Sequence, residues 1–368
     1  MSRRIGRTHR IGSRRLKAPP NSTTLATGRA RTRRAARLAA VGSLVCAAFF
    51  GCGAFESLPT GYAVVYGVSD YEVIINDLAQ PDDDAEAIAQ MLQSQGYHLV
   101  SDGPRINEAA TGANLEADFA ELREIAEPDS RFFFYFAGHG YGDGMEREYE
   151  GNPPLQELIE ANAEQYGDSE PIGSGGMPEF IFLHHADPYG DPIGSENDIV
   201  SDDRLAELLS TVRSAQRVVV LDSCHSGGFL GSGTSVDALP QGYAGDSGGV
   251  SAPDIVNAVT LYFDPDTESD VTERLAIVIS AAGEQDLSYE GSEFGLPNGA
   301  FTHFFLQAPE HADRNRDGWV TTTEAYLHAA HGVAAAANPD LASRYGDEYQ
   351  FMPRISGGAV DFVLFRAR

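Results

Sequence analysis

Cys224 is the side chain best suited to nucleophilic chemistry in this sequence. The chain has three cysteines, and Cys46 and Cys52 lie inside or beside an apolar run near the N-terminus. The remainder of the chain therefore has a single thiol, which cannot form an internal disulfide. Such a thiol is either a buried small hydrophobe or a reactive group, and its sequence context decides between the two. Cys224 lies in Asp-Ser-Cys-His-Ser-Gly, directly after the apolar residues 218–221.

His139 is the predicted base for that thiol. It lies between two glycines, directly after the aromatic run at residues 132–136. A thiol attacks a carbonyl as thiolate, so it needs an imidazole that takes its proton and backbone N–H groups that hold the oxyanion. His225 is the weaker candidate, because neighbours at a strand end tend to point apart. The sequence therefore predicts covalent catalysis by Cys224 and His139.

Alternating strands and helices must place these two residues together. Apolar runs predict strands at residues 62–68, 132–136, 180–183, 218–221, 275–280 and 360–365. Amphipathic spacing predicts helices at residues 81–95, 111–126, 202–212, 301–307 and 322–333. This alternation is typical of an α/β fold with a mostly parallel sheet covered on both faces, whose sites lie at the carboxyl ends of the strands. Residues 141–178 are expected to be an insertion, with residue 180 resuming the sheet.

The two strand-end motifs together resemble the caspase and metacaspase clan of cysteine peptidases, over nearly all of residues 61–365. The resemblance implies a caspase-like three-layer sandwich with a mostly parallel sheet of about six strands. It also implies a Cys224–His139 dyad, an acyl-enzyme on Cys224, and an oxyanion hole formed by the backbone N–H groups of Gly140 and Cys224. The substrates would be proteins or peptides.

Two carboxylates indicate the specificity. In metacaspase-like members, acids at the positions of Asp84 and Asp222 hold a basic side chain at P1, the residue before the scissile bond. True caspases place arginines in this pocket. Carboxylates in a partly desolvated pocket select Arg or Lys and reject Asp. The sequence departs from the metacaspase pattern at Ala137, where a serine is common, and at Pro81, where some members have a cysteine.

Residues 313–324 match the spacing of an EF-hand calcium loop. Oxygen ligands would come from Asp313, Asn315, Asp317 and Glu324, with the main-chain carbonyl of Trp319. The sequence therefore predicts a bound Ca²⁺ that braces two helices and takes no part in the chemistry. The alternative is a single, unpaired loop held by its own hydrogen bonds.

Charge is divided sharply along the chain. Residues 1–37 hold 12 of the 26 basic residues and no acid occurs before Glu56, so the other 14 basic residues face all 54 acids, a net charge of −40. Such a surface disfavours nucleic acid as a partner and suits basic peptides or a salty medium. With the apolar run at residues 38–51, the N-terminus resembles an export signal over residues 1–55, followed by the peptidase domain at 56–368.

The expected location is therefore periplasmic or extracellular. Cys52 follows Gly51, as in a lipoprotein signal, although a bulky Phe precedes at both neighbouring places. Lipidation of Cys52 would anchor the protein to a membrane. Ordinary cleavage nearby, an uncleaved anchor or a later translation start are the alternatives.

The long segment after the nucleophile bears on activation. No Lys or Arg occurs between Arg217 and Arg274, so an enzyme specific for basic P1 residues cannot cut itself within residues 226–273. We therefore expect a single-chain enzyme, or one processed near Arg147 or Arg274. Two other functions stay open at this point. One is a non-catalytic acidic module that binds basic peptides, and the other is a legumain-like peptidase or transpeptidase directed to Asn.

Overall fold

A computed structural model describes residues 58–72, 77–141, 180–187, 198–223, 276–282, 288–345, 351–357 and 361–368. The strands are β1 (Gly61–Gly67), β2 (Tyr97–Leu99), β3 (Arg105–Ile106), β4 (Arg131–Ala137), β5 (Gly140–Tyr141), β6 (Phe180–Phe182), β7 (Ile199–Ser201), β8 (Gln216–Asp222), β9 (Ile277–Ser280), β10 (Trp319–Thr321), β11 (Arg354–Gly357) and β12 (Val363–Arg366). The α-helices are α1 (Pro81–Ser94), α2 (Gly112–Ile125), α3 (Asp202–Ser210), α4 (Ala300–Leu306), α5 (Ala308–His311), α6 (Thr322–Ala336) and α7 (Asn338–Tyr345).

A seven-stranded sheet forms the centre of the fold. Its strand order is β11-β9-β8-β4-β1-β2, and the short strand β3 also pairs with β1. Every pairing in it is parallel except that of β11 with β9. The predicted α/β fold with a mostly parallel sheet is therefore confirmed.

Strand β4 shows why the sheet is covered on both faces. All seven of its residues are buried. Because successive side chains point to opposite faces, Phe132, Phe134 and Phe136 pack into the core on the side of α2 and α3. Phe133 and Tyr135 pack into the core formed with α1, α4 and α6. An all-aromatic run with polar residues on neither face can only be a central strand.

Capping signals in the sequence set the helix boundaries. Helix α1 begins at Pro81 and carries acids in its first turn, and Gly96 follows its end with a φ of 82°. Thr111 caps α2 by accepting from the N–H of Asn114. Helix α6 begins with a capping box between Thr321 and Glu324. Across the described residues, no helix combines the length and apolar composition needed to cross a bilayer.

The predicted return of the chain to the main sheet at residue 180 is wrong. Strand β6 instead lies between β5 and β7 in a separate antiparallel sheet of three strands. The reason is that residues 140–141, just beyond β4, pair with Phe180 and Ile181. Three apolar residues identify a buried strand but carry no information about its partner.

The last strands also differ from the prediction. The predicted strand at residues 360–365 corresponds to β12, which pairs with β10 outside the main sheet. The edge of the main sheet is β11, which the sequence did not reveal. Its residues Arg-Ile-Ser-Gly include one large apolar side chain, which is too few to give a strand pattern.

Candidate active site

Three adjacent strands end at one rim of the main sheet. Gly67 of β1 pairs with Ala137 of β4, and Ala137 pairs with Asp222 of β8. The N–H of Gly138 also donates to the carbonyl of Asp222 at 3.3 Å. His139 therefore lies beside the strand end that leads into Cys224. Cys224 itself lies outside the described residues.

His139 is half-buried and held through its main chain. Its N–H donates to the hydroxyl of Tyr71 at 2.7 Å, and its carbonyl accepts from the N–H of Phe182 at 3.1 Å. The rings of Tyr71 and His139 lie 4.9 Å apart between centroids, at 42°. Gly140, the predicted oxyanion donor, opens β5 and pairs with Ile181. The imidazole is therefore attached to a fixed piece of backbone.

Asp222 lies at the end of β8 and is 8 % exposed. One carboxylate oxygen accepts from the Ser288 hydroxyl at 2.7 Å, and the other accepts from the Thr302 N–H at 3.2 Å and hydroxyl at 2.6 Å. The Tyr135 hydroxyl lies 2.6 Å from that of Thr302 and donates to it, because the Thr302 proton is given to Asp222. A chain of buried hydroxyl groups therefore fixes the Asp222 carboxylate.

Asp84 approaches the same place from another part of the chain. It lies in the first turn of α1, is 2 % exposed, and both of its carboxylate oxygens are 3.0 Å from the N–H of Gly299. Burial, and then the charge of Asp222, raise the pKa of Asp84 to about 8. Burial also raises the pKa of Asp222. Within the described part of the chain, no basic side chain is among the charges acting on either acid. The site is therefore short of positive charge.

Gly299 lies against both carboxylates, and only the absence of a side chain lets all three groups come so close. A Cβ atom at this position would lie 2.6 Å from Oδ2 of Asp84 and 3.0 Å from Oδ2 of Asp222. No side chain fits there without displacing a carboxylate. The sequence prediction did not include Gly299, Ser288 or Thr302 in the pocket. The available signal was a glycine directly before a predicted helix, which is common at helix starts of every kind.

Residues 313–324 run from a compact turn after α5 through β10 into the first turn of α6. The Asp313 carboxylate accepts from the N–H groups of Asp317 at 3.2 Å and Gly318 at 3.0 Å. Asn315 Oδ1 accepts from the Asp317 N–H at 2.8 Å, and Asp317 Oδ1 accepts from the Trp319 N–H at 2.8 Å. Three side chains and three backbone N–H groups are thereby folded around one turn.

Glu324 closes this loop. Its carboxylate accepts from the Thr321 N–H at 3.1 Å. Burial raises the pKa of Glu324, and the charges of Asp317 and Asp313 raise it further. Glu324 is thus close enough to Asp317 and Asp313 to be repelled by their charges. Among the described residues, however, no three His, Cys, Asp or Glu side chains converge closely enough to be a ready metal site.

Comparison with known proteins identifies the fold family. The sequence model of the caspase domain matches residues 60–356, which is most of the chain. The chain belongs to the caspase domain family. This is a family of cysteine peptidases, so the resemblance read from the two strand-end motifs is confirmed, and protein substrates follow from it.

One solved structure similar to this caspase-family chain is that of protein GSU0716 from Geobacter sulfurreducens. The two share 17 % sequence identity and superpose with a TM-score of 0.45, covering 82 % of this chain and 95 % of the other. No curated protein matches this chain. Cys52, all of the predicted insertion at 141–178 except residue 141, and the segment 226–273 lie outside the described residues.

Proposed function

We propose that this caspase-family chain is an endopeptidase that cleaves after Arg or Lys, with Cys224 as nucleophile and His139 as general base. The observation that carries the proposal is the convergence of Asp84 and Asp222. These acids come from α1 and β8, meet at the first turn of α4, and lie beside the strand end that precedes Cys224. Two buried carboxylates that no basic side chain of the described segments neutralises form a binding place for a cationic side chain.

The proposed reaction uses Cys224 and His139 in turn. His139 takes the thiol proton of Cys224, and the thiolate attacks the scissile carbonyl carbon. The backbone N–H groups of Gly140 and Cys224 would hold the tetrahedral oxyanion. When the intermediate collapses, the C–N bond breaks and the leaving amine receives the proton from His139. His139 then deprotonates a water molecule, which hydrolyses the thioester and regenerates the thiol.

Charge explains the preference for basic P1 residues. Burial raises the pKa of Asp84, and repulsion from the neighbouring charge of Asp222 raises it further. A guanidinium or ammonium group relieves this repulsion and takes the place of the proton on Asp84. An acidic P1 side chain would instead bring a further negative charge to the same place, so it is rejected.

The direct test uses fluorogenic peptides that differ only at P1. Wild type and Cys224→Ala are assayed with Arg, Lys, Asn and Asp at that position. The proposal expects hydrolysis of the Arg and Lys peptides by wild type alone. Equal signal from both proteins would reject the dyad, and no activity on any peptide would favour the non-catalytic binding module. Cleavage after Asn alone would favour a legumain-like specificity instead.

We propose in addition that residues 313–324 bind Ca²⁺. Asp313, Asn315, Asp317 and Glu324 would hold it with the carbonyl of Trp319, and the oxygen donor set and the mutual repulsion of the acids fit such an ion. Strand β10 supports the fit, since Trp319 and Val320 pair with Arg366 and Phe365 of β12. EF-hand loops normally occur in pairs and contact each other through their short strands. In this chain β10 is the strand of the loop, and it pairs with β12 in place of a second loop. The ion would fix α5 relative to α6.

We also propose export of the protein with lipid attachment at Cys52. The support is the basic segment at residues 1–37 followed by the apolar residues 38–51. Mass spectrometry of the membrane fraction from cells expressing wild type or Cys52→Ala tests this proposal. A diacylated N-terminal Cys52 is the expected result.

A further inference from the structure

Tyr71 touches the proposed general base at two places. It follows β1 in sequence, is 5 % exposed, and places its hydroxyl 2.7 Å from the N–H of His139. Its ring lies 4.9 Å from the imidazole between centroids. We propose that Tyr71 is a positioning residue, which holds the His139 imidazole where it takes the thiol proton of Cys224. This inference rests on the proposed dyad and adds a residue to it.

The hydroxyl of Tyr71 connects His139 with strand β6. It accepts from the His139 N–H and donates to the carbonyl of Phe182 at 3.2 Å. Phe182 in turn donates its N–H to the carbonyl of His139 at 3.1 Å. The three residues form a closed set of hydrogen bonds, so both main-chain polar groups of His139 are fixed. A hydroxyl group is required here because it donates and accepts at once.

The ring of Tyr71 acts on the imidazole itself. When His139 takes the thiol proton it becomes a cation, and the face of an aromatic ring attracts a cation within about 6 Å of its centroid. The two rings are tilted by 42° and in contact, so the tyrosine also restricts the rotation of the imidazole. Loss of the ring therefore removes both an orientation and a favourable charge interaction.

The surrounding backbone is built to permit this approach. A Cβ atom at position 138 would lie 2.6 Å from the Tyr71 hydroxyl, so only glycine fits beside His139. Tyr71 is itself held, since its N–H donates to the Asp77 carboxylate at 3.3 Å. The next N–H, of Glu72, donates to the carbonyl of His184 at 3.1 Å. The backbone N–H groups of residues 71 and 72 therefore hold the tyrosine in place without substrate.

Two substitutions separate the hydroxyl from the ring. Tyr71→Phe removes the hydrogen bonds and keeps the ring, and Tyr71→Leu removes both. We expect kcat on an Arg peptide to fall about tenfold in Tyr71→Phe and about 100-fold in Tyr71→Leu, with KM unchanged. The rate at which iodoacetamide alkylates Cys224 should fall in the same order, because alkylation reports the thiolate without a peptide.

Tyr97→Phe is the matched control. It also removes a buried tyrosine hydroxyl that donates to a main-chain carbonyl, that of Leu364 at 3.2 Å. Tyr97 pairs with Gly61, at the end of β1 opposite the site. This variant should melt at a lower temperature than wild type yet keep its kcat and alkylation rate. A merely structural role for Tyr71 would make its variants behave in the same way.

The outcomes distinguish this inference from the proposed dyad. If His139→Ala loses activity while folded Tyr71→Phe and Tyr71→Leu keep wild-type kcat and alkylation rates, the role of Tyr71 is overturned and the dyad stands. A rise in KM alone would also overturn it, because Tyr71 would then act on substrate binding. If His139→Ala keeps wild-type kcat, the dyad fails, and the role of Tyr71 fails with it.

Discussion

Asp84 and Asp222 accept hydrogen bonds from the start of the same helix, Asp84 from the N–H of Gly299 at 3.0 Å and Asp222 from the N–H of Thr302 at 3.2 Å. The positive end of a helix reduces the cost of burying a carboxylate. It does not cancel that cost here, since the pKa of each acid is still raised. Under the proposed function, a cationic P1 side chain would offset the rest of that cost.

Neutralising either acid should reduce cleavage after Arg. We expect Asp84→Asn and Asp222→Asn each to lower kcat/KM on an Arg peptide by about 10- to 100-fold, because each loses a charge-assisted hydrogen bond to P1. Asp83→Asn is the matched control, since Asp83 is the exposed neighbour in the same helical turn. Steady-state kinetics on all three variants test this. Equal activity of Asp84→Asn and Asp83→Asn would remove Asp84 from the pocket.

A methyl group at position 299 should obstruct the pocket. Gly299→Ala places a Cβ atom against both carboxylates, so we expect KM for Arg and Lys peptides to rise about tenfold or more. Gly103→Ala is the control, because a Cβ at position 103 meets no atom within 4 Å. Titration of each protein with the Arg peptide gives the comparison. An unchanged KM in Gly299→Ala would show that P1 binds elsewhere.

The raised pKa of Asp84 predicts a pH dependence of stability. The folded protein holds the Asp84 proton up to about pH 8, whereas the ordinary value is 3.8. Between these values the folded state binds more protons than the unfolded state, so the free energy of unfolding from this group falls as pH rises. Asp84→Asn should therefore be more stable than wild type near pH 8, and the gain should shrink toward about pH 4.

Urea denaturation of both proteins across this range measures the effect. The difference in unfolding free energy between variant and wild type removes the contributions of other titrating groups. One such group is His328, whose pKa burial lowers to about 4. A difference that does not change with pH would contradict the account.

The proton on Asp84 also predicts a pH dependence of substrate binding. KM for Arg peptides should fall as pH rises toward 8, because the cationic side chain then competes with fewer protons for Asp84.

Calcium should change the fluorescence of the chain's single tryptophan. Trp319 supplies a predicted ligand carbonyl, and Arg366 lies over its ring at 5.4 Å. We expect about 1 mM Ca²⁺ to alter its emission and raise the melting temperature. Asp313→Ala should lose both effects, and Glu310→Ala, an exposed acid just before the loop, should keep them. No response in wild type would show that the loop is held by its own hydrogen bonds.

The sequence predicts local features of this protein better than long-range pairings. The aromatic run of β4 and the proline and acids that open α1 predict their elements from neighbouring residues alone. The sequence assigns β6 to the wrong sheet and does not reveal the edge strand β11. The partner of each strand depends on residues far away in the chain. The same holds at the site. His139 and Asp222 follow from strand ends, whereas Tyr71 and Gly299 join the site only through folding.

The most direct test of the central claim is covalent labelling with a peptide chloromethyl ketone that carries Arg at P1, beside the same reagent with Asp. Intact-mass measurement followed by peptide mapping reports both the reacting residue and the P1 preference. The account predicts one adduct per chain, on Cys224, with the Arg reagent and little or none with the Asp reagent. An adduct on another residue, or faster labelling by the Asp reagent, would contradict it.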